Sequence, residues 1–418
     1  MNALNALDRQ FARSIIIQLG SSGQPPEFGV QYFSAGLDPF LEVIDEEYLR
    51  TFIKDGGSAF KMVVGAYGGG KTHFLYSVRN LAWQHGFAVS YVSLKAGGEC
   101  PFDKLDLVYK AIIDGLLPPI DDPETKPAGV KGIENFLRYW YAQRLDSQRQ
   151  VGDQHHTARE QILAEIEALE ATTVRSISFR KAMTAALRAI MDDDERRYGE
   201  ICQWLKGEAS PSAALKRLGI TQRVDKTTAF AFIRSLGQTI RGLGYSGLVV
   251  LLDEAERVPS LSRAQREQLL SNLREFIDEC GQSEFQGMLV FYAVPDRGFL
   301  EGRTQVYEAL RQRLATTFDF FNPTGVVIGL DDVVGDPEVF LHEVGDKIVP
   351  IYNTAYDQAL DVTLTTPLIK RLAASAVKQR FADVGYKRVF VQQLVQGLGM
   401  IHRQGRLPEP EELELRSP

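Results

Sequence analysis

A glycine-rich segment that ends in lysine and threonine carries the clearest chemical signal in the sequence. Residues 65–72 read Gly-Ala-Tyr-Gly-Gly-Gly-Lys-Thr and match the phosphate-loop pattern G-x-x-x-x-G-K-[ST] in full. Glycines let successive backbone N–H groups turn toward a polyphosphate, because no Cβ blocks the approach. Lys71 supplies a cation for the β- and γ-phosphates, and the Thr72 hydroxyl is placed to ligate Mg²⁺. The segment therefore predicts a binding site for ATP and Mg²⁺.

The flanking residues decide between this interpretation and an ordinary glycine-rich turn. The apolar residues from Phe60 to Val64 indicate a buried parallel strand, and apolar residues recur at helical spacing from Leu75 to Ala82. Strand, loop and helix are the context that the motif needs, so the phosphate-binding interpretation is favoured. The predicted nucleotide contacts in and beside the loop are Gly65, Tyr67, Gly68, Gly69, Gly70, Lys71, Thr72 and His73.

Two acidic residues follow a second strand pattern. Five aliphatic residues, Leu248 to Leu252, precede Asp253 and Glu254. In parallel α/β sheets, ligands bind at the carboxyl edge of the strands. Asp253 would hold Mg²⁺ together with Thr72, and Glu254 would polarise the attacking water. A solvated strand end is the alternative, but the phosphate loop in the same chain favours the catalytic interpretation.

An aromatic segment lies upstream of the loop, from Phe28 to Phe33. In nucleotide-binding domains of this class such a segment often packs on the adenine. Val30 and Tyr32 are therefore candidates for contact with the base. A plain role in the core is the alternative for each of them.

The wider pattern predicts an α/β fold in which helices interrupt and follow a parallel sheet. Further strands are expected at 87–94, 287–294 and 325–330, whereas 120–243 and 333–407 are helical in pattern. We therefore divide the chain into four parts. These are N-terminal helices with the first part of the nucleotide-binding core (1–119), a helical insertion (120–243), the second part of the core (244–330) and a C-terminal helical lid (331–418).

Composition narrows the class of protein further. The 418 residues carry a net charge of −7, which argues against a uniformly basic nucleic-acid binder but not against a local basic surface. The three cysteines are far apart and predict buried or idle thiols in a reducing compartment. Since no apolar run approaches the length of a membrane span, we expect a cytoplasmic protein.

The C-terminal part divides into an acidic and a basic stretch. Lys347 is the only basic residue from Asp331 to Asp361. Eight cations follow between 368 and 407: Lys370, Arg371, Lys378, Arg380, Lys387, Arg388, Arg403 and Arg406. They could line a site for a polyanion such as DNA, or could pair with the preceding acidic stretch.

The order of the parts resembles that of AAA+ ATPases, nearest to the origin-recognition and helicase-loader type. Stretches at 12–19, 65–75, 244–256 and 387–395 together look like those of the BREX-system ATP-binding family of bacterial phage-defence ATPases. The resemblance implies an ATP-driven component of a defence complex that acts on DNA, often beside a helicase. It also implies an AAA+-type core and a homo-oligomer.

The resemblance assigns further roles residue by residue. Arg313, in preference to Arg311, resembles an arginine finger, which is a catalytic residue that acts on a neighbouring subunit. Arg388 resembles the lid arginine called sensor 2, and Arg371 is its substitute. The polar sensor-1 residue is replaced by Val294, so Asp296 would have to serve. Ser93 stands where such ATPases have a residue that restrains the catalytic glutamate.

Three functions remain open at this point. The first is an ATPase whose nucleotide state controls assembly on DNA or with a defence partner. The second is a nucleotide-gated scaffold with little turnover that recruits protein effectors. The third is a small-molecule kinase, against which Asp253, Glu254 and the lid arginines argue.

Overall fold

A six-stranded sheet forms the centre of the protein. The computed structural model describes residues 7–94, 102–120, 129–150, 155–253, 262–282, 284–296, 305–330, 336–379 and 385–413. The strands are β1 (Ser58–Val64), β2 (Ala88–Ser93), β3 (Leu116–Leu117), β4 (Leu248–Asp253), β5 (Met288–Val294) and β6 (Val327–Gly329). They lie in the order β3-β2-β4-β5-β1-β6, and only β3 is antiparallel to its neighbour. The predicted α/β fold with a mostly parallel sheet is confirmed.

The apolar spacing of the sequence predicts one helix from Leu105 to Leu117, whereas the structure has a helix followed by the short strand β3. The helix ends at Asp114, and Leu116–Leu117 pairs with Val89 and Ser90 of β2. A Cβ on Gly115 would lie 2.5 Å from the carbonyl oxygen of Tyr91. Only glycine allows this approach, so the chain leaves the helix there and joins the sheet edge.

Helices cover both faces of the sheet. The first part of the chain forms α1 (Arg9–Ser22), a 3₁₀ turn (Val30–Tyr32), α2 (Asp38–Val43), a π-helical segment (Ile44–Phe52) and α3 (Lys71–Gln84). The sequence pattern predicts a single helix from Pro39 to Ile53, but the structure changes from α-helical to π-helical winding at Ile44. The helix α3 packs against β2 and β4 and begins directly after the glycine loop.

Between β2 and β4 the described residues form seven helices. They are α4 (Leu105–Asp114), α5 (Ile133–Gln150), α6 (His155–Ala171), α7 (Ile177–Met191), α8 (Glu195–Leu205), α9 (Ala213–Arg217) and α10 (Ala229–Gly242). Their buried side chains belong to the same hydrophobic cluster as Met62, Val250 and Val290 of the sheet. The helices α5–α10 thus share a core with one face of the sheet.

The last part of the chain returns to the N-terminus. After α11 (Arg263–Gly281) and α12 (Gln305–Arg313) come β6 and three helices, α13 (Pro337–Tyr356), α14 (Val362–Gln379) and α15 (Tyr386–Gln404). These three helices form a separate apolar cluster together with α1. A 3₁₀ turn (Pro410–Leu413) closes against α15. The first helix of the chain therefore packs with the C-terminal helices.

Two general expectations can be compared with this fold. No helix within the described ranges is long and apolar enough to cross a membrane. Cys202 and Cys280 are free and buried, and burial raises the pKa of both thiols. Cys100 lies outside the described residues. The division into four parts stays a prediction.

Candidate functional site

The glycine loop leaves the carboxyl end of β1 and enters α3. Gly68 and Gly70 have φ of 73° and 101°, in the left-handed region that disfavours other residues. A Cβ on Gly69 would lie 2.8 Å from the carbonyl oxygen of Ala66, whereas one on Gly70 would meet nothing within 4 Å. Glycine is therefore needed for the loop conformation, and space stays open beside Gly70 at the N-terminus of α3.

Lys71 spans the inside of this loop. Its side chain is buried, and Nζ donates to the carbonyl oxygens of Gly65 (2.9 Å) and Ala66 (3.1 Å). The ammonium group thus lies within the loop that the motif predicts to surround phosphate. Helix N-termini with free N–H groups favour anions at the same position.

Thr72 meets the second motif across the cleft. Thr72 Oγ1 donates to Asp253 Oδ2 at 2.7 Å, and Asp253 is fully buried at the end of β4. A hydroxyl beside a carboxylate is an oxygen-donor pair of the type that Mg²⁺ prefers. Glu254, the predicted catalytic base, lies outside the described residues.

Tyr91 completes this cluster and was not predicted. Its hydroxyl donates to the same oxygen of Asp253 at 2.6 Å, from the neighbouring strand β2. Burial and the nearby Asp253 carboxylate raise the pKa of Tyr91, so the hydroxyl keeps its proton. In the sequence, Tyr91 is one residue of an apolar strand, and only the pairing of β2 with β4 brings it to Asp253.

We expect Tyr91→Phe to keep nucleotide affinity and to lower ATP turnover about tenfold, the effect of one lost hydrogen bond to a charged group. The ring and its packing remain, but one oxygen of Asp253 loses a donor that orients it. Turnover and nucleotide affinity are measured separately. Tyr109→Phe, which also removes a buried tyrosine hydroxyl but one that donates to the carbonyl oxygen of Leu205, is the control. An unchanged turnover in Tyr91→Phe would contradict an orienting role.

The C-terminal helix α15 borders the cleft with two cations. Lys387 Nζ donates to the carbonyl oxygen of Gly69 at 3.0 Å, and the Arg388 guanidinium lies 4.4 Å from the ring centre of Tyr67. Both residues line the cleft together with the glycine loop. Arg371, the substitute for Arg388, instead donates to the carbonyl oxygen of Pro408. Lys387 was not predicted as a site residue, although its position next to Arg388 in the sequence could have suggested it.

The remaining wall of the cleft is mostly apolar. It is lined by Leu19, Phe33, Ala35, Leu37, Leu330, Phe340, Leu341, Val344 and Val391. The cleft contains about 1080 Å³ of space free of atoms, part of which is open to solvent. Val30 and Tyr32, the residues predicted to contact the base, are absent from this lining. Val30 is fully buried in the core, and Tyr32 packs edge-on against Phe11.

His73 lines the inner part of the cleft and is neutral near pH 7. Its Nε2 lies 2.7 Å from the Ser34 hydroxyl, and its ring packs edge-on against Phe33. Burial, followed by the charges of Lys387 and Lys347, lowers the pKa of His73 to about 4. The side chain therefore ties α3 to the segment that carries the apolar wall.

This depressed pKa predicts a pH dependence of stability. Below the ordinary histidine pKa the unfolded state binds a proton that the folded state excludes, so stability falls as the pH drops from 6.5 toward 4. Between neutral pH and pH 5 the loss is about 2 kcal/mol. Urea unfolding of wild type, His73→Asn and the control His342→Asn measures it. The His73 variant should lose less stability than the other two, and equal losses would contradict the assignment.

The predicted arginine finger makes contacts within its own chain. Arg313 ends α12 and forms a two-pronged ion pair with Asp278 of α11, with Nη2 at 2.9 Å from Oδ2. Its Nη1 also donates to the carbonyl oxygen of Ala309 at 2.9 Å. Arg311, the other candidate, is exposed on the same helix. Action on a second subunit would require Arg313 to leave Asp278.

The residues that depart from the AAA+ pattern lie at the carboxyl edge of the sheet. Val294 ends β5 fully buried, and its carbonyl oxygen accepts a hydrogen bond from the N–H of Gly65. Asp296 is exposed two residues later. Ser93 pairs in register with Asp253, and so it lies beside the predicted Mg²⁺ ligand.

The C-terminal cations within the described residues differ in their contacts. Lys387 and Arg388 face the nucleotide cleft, Arg371 bonds to the backbone of Pro408, and Arg406 pairs with Glu412 at 2.6 Å. Lys370, Lys378 and Arg403 are exposed, and Arg380 is outside the described residues.

Comparison with known protein families identifies the family of the chain. Residues 8–415 match the family described as BREX system ATP-binding protein BrxC/D. The chain belongs to this family. It is therefore a BREX-system ATP-binding protein, a component of phage defence, as the sequence resemblance predicted. No curated protein and no solved structure matches the chain. In this BREX protein the cleft between the glycine loop and α15 is the candidate site for ATP.

Proposed function

We propose that this BREX protein is an AAA+-type ATPase, which binds ATP with Mg²⁺ in the cleft and hydrolyses it. The observation that carries the proposal is the direct contact of Thr72 with Asp253, beside a glycine loop that encloses Lys71. The strand order, in which β5 lies between β1 and β4, agrees with an AAA+-type core. Bound Mg²⁺ would neutralise the charge of the β- and γ-phosphates.

The residues of the chain then have distinct roles. Lys71 exchanges its carbonyl partners in the loop for phosphate oxygens, which form stronger, charge-assisted hydrogen bonds. Thr72 and Asp253 supply the oxygen ligands for Mg²⁺, with Tyr91 orienting Asp253. Glu254 polarises the attacking water, since it follows Asp253 directly in the chain. The apolar wall from Phe33 to Leu37 receives the base.

Contacts between α15 of the C-terminal lid and the glycine loop support a conformation of the lid that depends on the bound nucleotide. Lys387 bonds to the backbone of Gly69, and Arg388 lies over Tyr67. Phosphate in the loop would compete for both cations, so α15 would shift when ATP replaces these contacts. Since α15 packs on α1 and α14, the shift would reach the surface of the C-terminal helices. We propose that this movement controls homo-oligomerisation and action on DNA or on a partner such as a helicase.

The second candidate is a nucleotide-gated scaffold that turns over little ATP and recruits protein effectors. One observation favours it: the position expected for the polar sensor-1 residue is the buried, apolar Val294. A scaffold would bind ATP and change its assembly state without steady release of phosphate.

Two measurements separate these functions. Phosphate release with and without DNA distinguishes an ATPase from a scaffold, and Glu254→Gln provides the matched variant that should bind ATP but not hydrolyse it. Release of phosphate by Glu254→Gln at the wild-type rate would refute the role of Glu254, whereas no release by the wild type, with or without DNA, would refute the ATPase assignment. A pull-down from the native host with wild type and Glu254→Gln would identify partners that depend on the ATP-bound state.

A further inference from the structure

The helices between β2 and β4 carry a cluster of cations that the nucleotide site does not use. Residues 172–181 and 211–228 together contain seven basic residues and one acid, in a chain with a net charge of −7. Six of these basic side chains are exposed: Arg175, Lys181, Lys216, Arg217, Arg223 and Lys226. We call this set the insertion basic face.

The fold brings these two segments into direct contact. The hydroxyl of Ser178, in the first turn of α7, accepts hydrogen bonds from the backbone N–H groups of Thr221 (3.1 Å) and Gln222 (3.2 Å). Ser176 contacts the Gln222 side chain. A Cβ on Gly219 would lie 2.4 Å from Lys181 Nζ, so the Lys181 ammonium lies directly over the end of α9. Cations that are far apart in sequence therefore share one surface.

No acidic side chain among the described residues neutralises the insertion basic face. None of its six cations forms an ion pair with another described residue. Cations elsewhere on these helices do pair: Arg138 with Glu195, Arg144 with Glu165, and Arg188 with Glu170. The one acid of the face, Asp225, accepts hydrogen bonds from Thr227 and Thr228, and so it caps the turn before α10.

We propose that the insertion basic face binds the phosphodiester backbone of a nucleic acid. Clustered unpaired cations repel one another, and the negative charges of a bound polyanion offset this repulsion. Binding also releases the counterions of the polyanion, which favours association. Exposed Thr221, Gln222 and Thr227 lie among the cations and add the neutral donors that commonly contact phosphate. Nothing in the face resembles a recognition helix, so binding is independent of base sequence. The inference rests on the proposed function, since it assigns the surface through which the protein would act on DNA.

Charge reversal with a matched control tests the proposal. Arg217→Glu, Arg223→Glu and Lys226→Glu are combined in one variant. The control combines Lys370→Glu, Lys378→Glu and Arg403→Glu, the exposed cations of α14 and α15. The probes are a random-sequence DNA duplex, its single strand and an RNA of the same length. We expect the first variant to lose roughly 100-fold in affinity, and the slope of log K against log salt to become shallower by about 3. The control should bind as wild type does.

Several results would overturn the assignment. The first is that the insertion variant binds as tightly as the wild type, and the second is that the control loses as much affinity as the insertion variant. The third is that the wild type binds no nucleic acid at low salt, and the fourth is that it binds polyglutamate as tightly as it binds nucleic acid. A variant with Gln in place of the same three cations should lose affinity by a smaller factor, and thermal unfolding verifies that all variants fold. Phosphate release without nucleic acid is measured for each variant. A wild type that binds DNA through this face but hydrolyses no ATP would refute only the ATPase proposal.

Discussion

Lys71→Ala should lower the affinity for ATP by roughly 100-fold or more, because at least two charge-assisted hydrogen bonds to phosphate are lost together. The Lys71 side chain is buried inside the glycine loop and has its ammonium group next to the carbonyl oxygens of Gly65 and Ala66. No other cation within the described residues donates to these two oxygens. Affinity is measured by titration with a fluorescent ATP analogue, with and without Mg²⁺.

A loss of affinity could also come from damage to the loop. Lys71→Met keeps most of the buried volume while it removes the charge, so it should bind as weakly as Lys71→Ala and unfold near the wild-type temperature. Lys370→Ala removes one exposed cation of α14 and should bind ATP normally. Wild-type affinity in Lys71→Met would refute the assignment of Lys71 to the phosphates.

The local sequence patterns were sufficient to predict the strands that carry the site. β1, β2, β4 and β5 each begin and end within two residues of the predicted bounds, since each lies in a mostly apolar segment that follows a glycine. The glycines with left-handed backbone conformation also made the loop predictable from the sequence. Gly68 and Gly70 have φ values that other residues rarely adopt, so the motif records the backbone conformation directly.

Contacts that depend on strand order were not predictable in the same way. Tyr91 reaches Asp253 only because β2 lies beside β4, although 162 residues separate the two in sequence. Lys387 reaches Gly69 only because α15 packs over the loop. A single sequence without aligned relatives contains no signal for pairings at such separations.

The apolar wall shows a second limit of local patterns. The sequence predicted that the segment from Phe28 to Phe33 lies near the base. It did not predict the 3₁₀ turn within this segment, and so it did not show which of the residues line the cleft. Val30, within that turn, is buried, whereas Phe33 and Ala35, which follow it, line the cleft. The apolar residues of a sequence do not reveal such a turn. In a strand, residues i and i+2 share a face, whereas in a 3₁₀ turn residues i and i+3 do, so the same sequence can face the cleft with different residues.

The second large effect is expected for Arg313→Ala. If Arg313 stabilises the transferring phosphate of a neighbouring subunit, its loss should lower turnover by about 10³-fold while nucleotide binding is kept. Turnover per subunit should also rise with protein concentration, because the site is complete only in an oligomer. Arg311→Ala, on the same helix, is the control and should hydrolyse ATP at a rate near that of the wild type.

The ion pair with Asp278 provides the alternative explanation that must be separated from this role. As a structural contact, Arg313 would hold α12 to α11, and Arg313→Ala and Asp278→Asn would then lower the unfolding temperature and turnover alike. As a finger, Arg313 is restrained by Asp278 in the single chain, so Asp278→Asn should keep turnover or raise it.

Mixing two inactive variants decides between these explanations. Arg313→Ala retains an intact loop but lacks the finger, and Lys71→Ala retains the finger but binds ATP too weakly for turnover at the concentration used. In a mixed oligomer the loop of the first variant would lie next to Arg313 of the second, so part of the turnover should return. A structural role within one chain allows no such recovery, since each subunit keeps its own defect. No recovery in the mixture, or a monomer at saturating ATP with Glu254→Gln, would refute the finger role and leave Arg313 as the contact between α11 and α12.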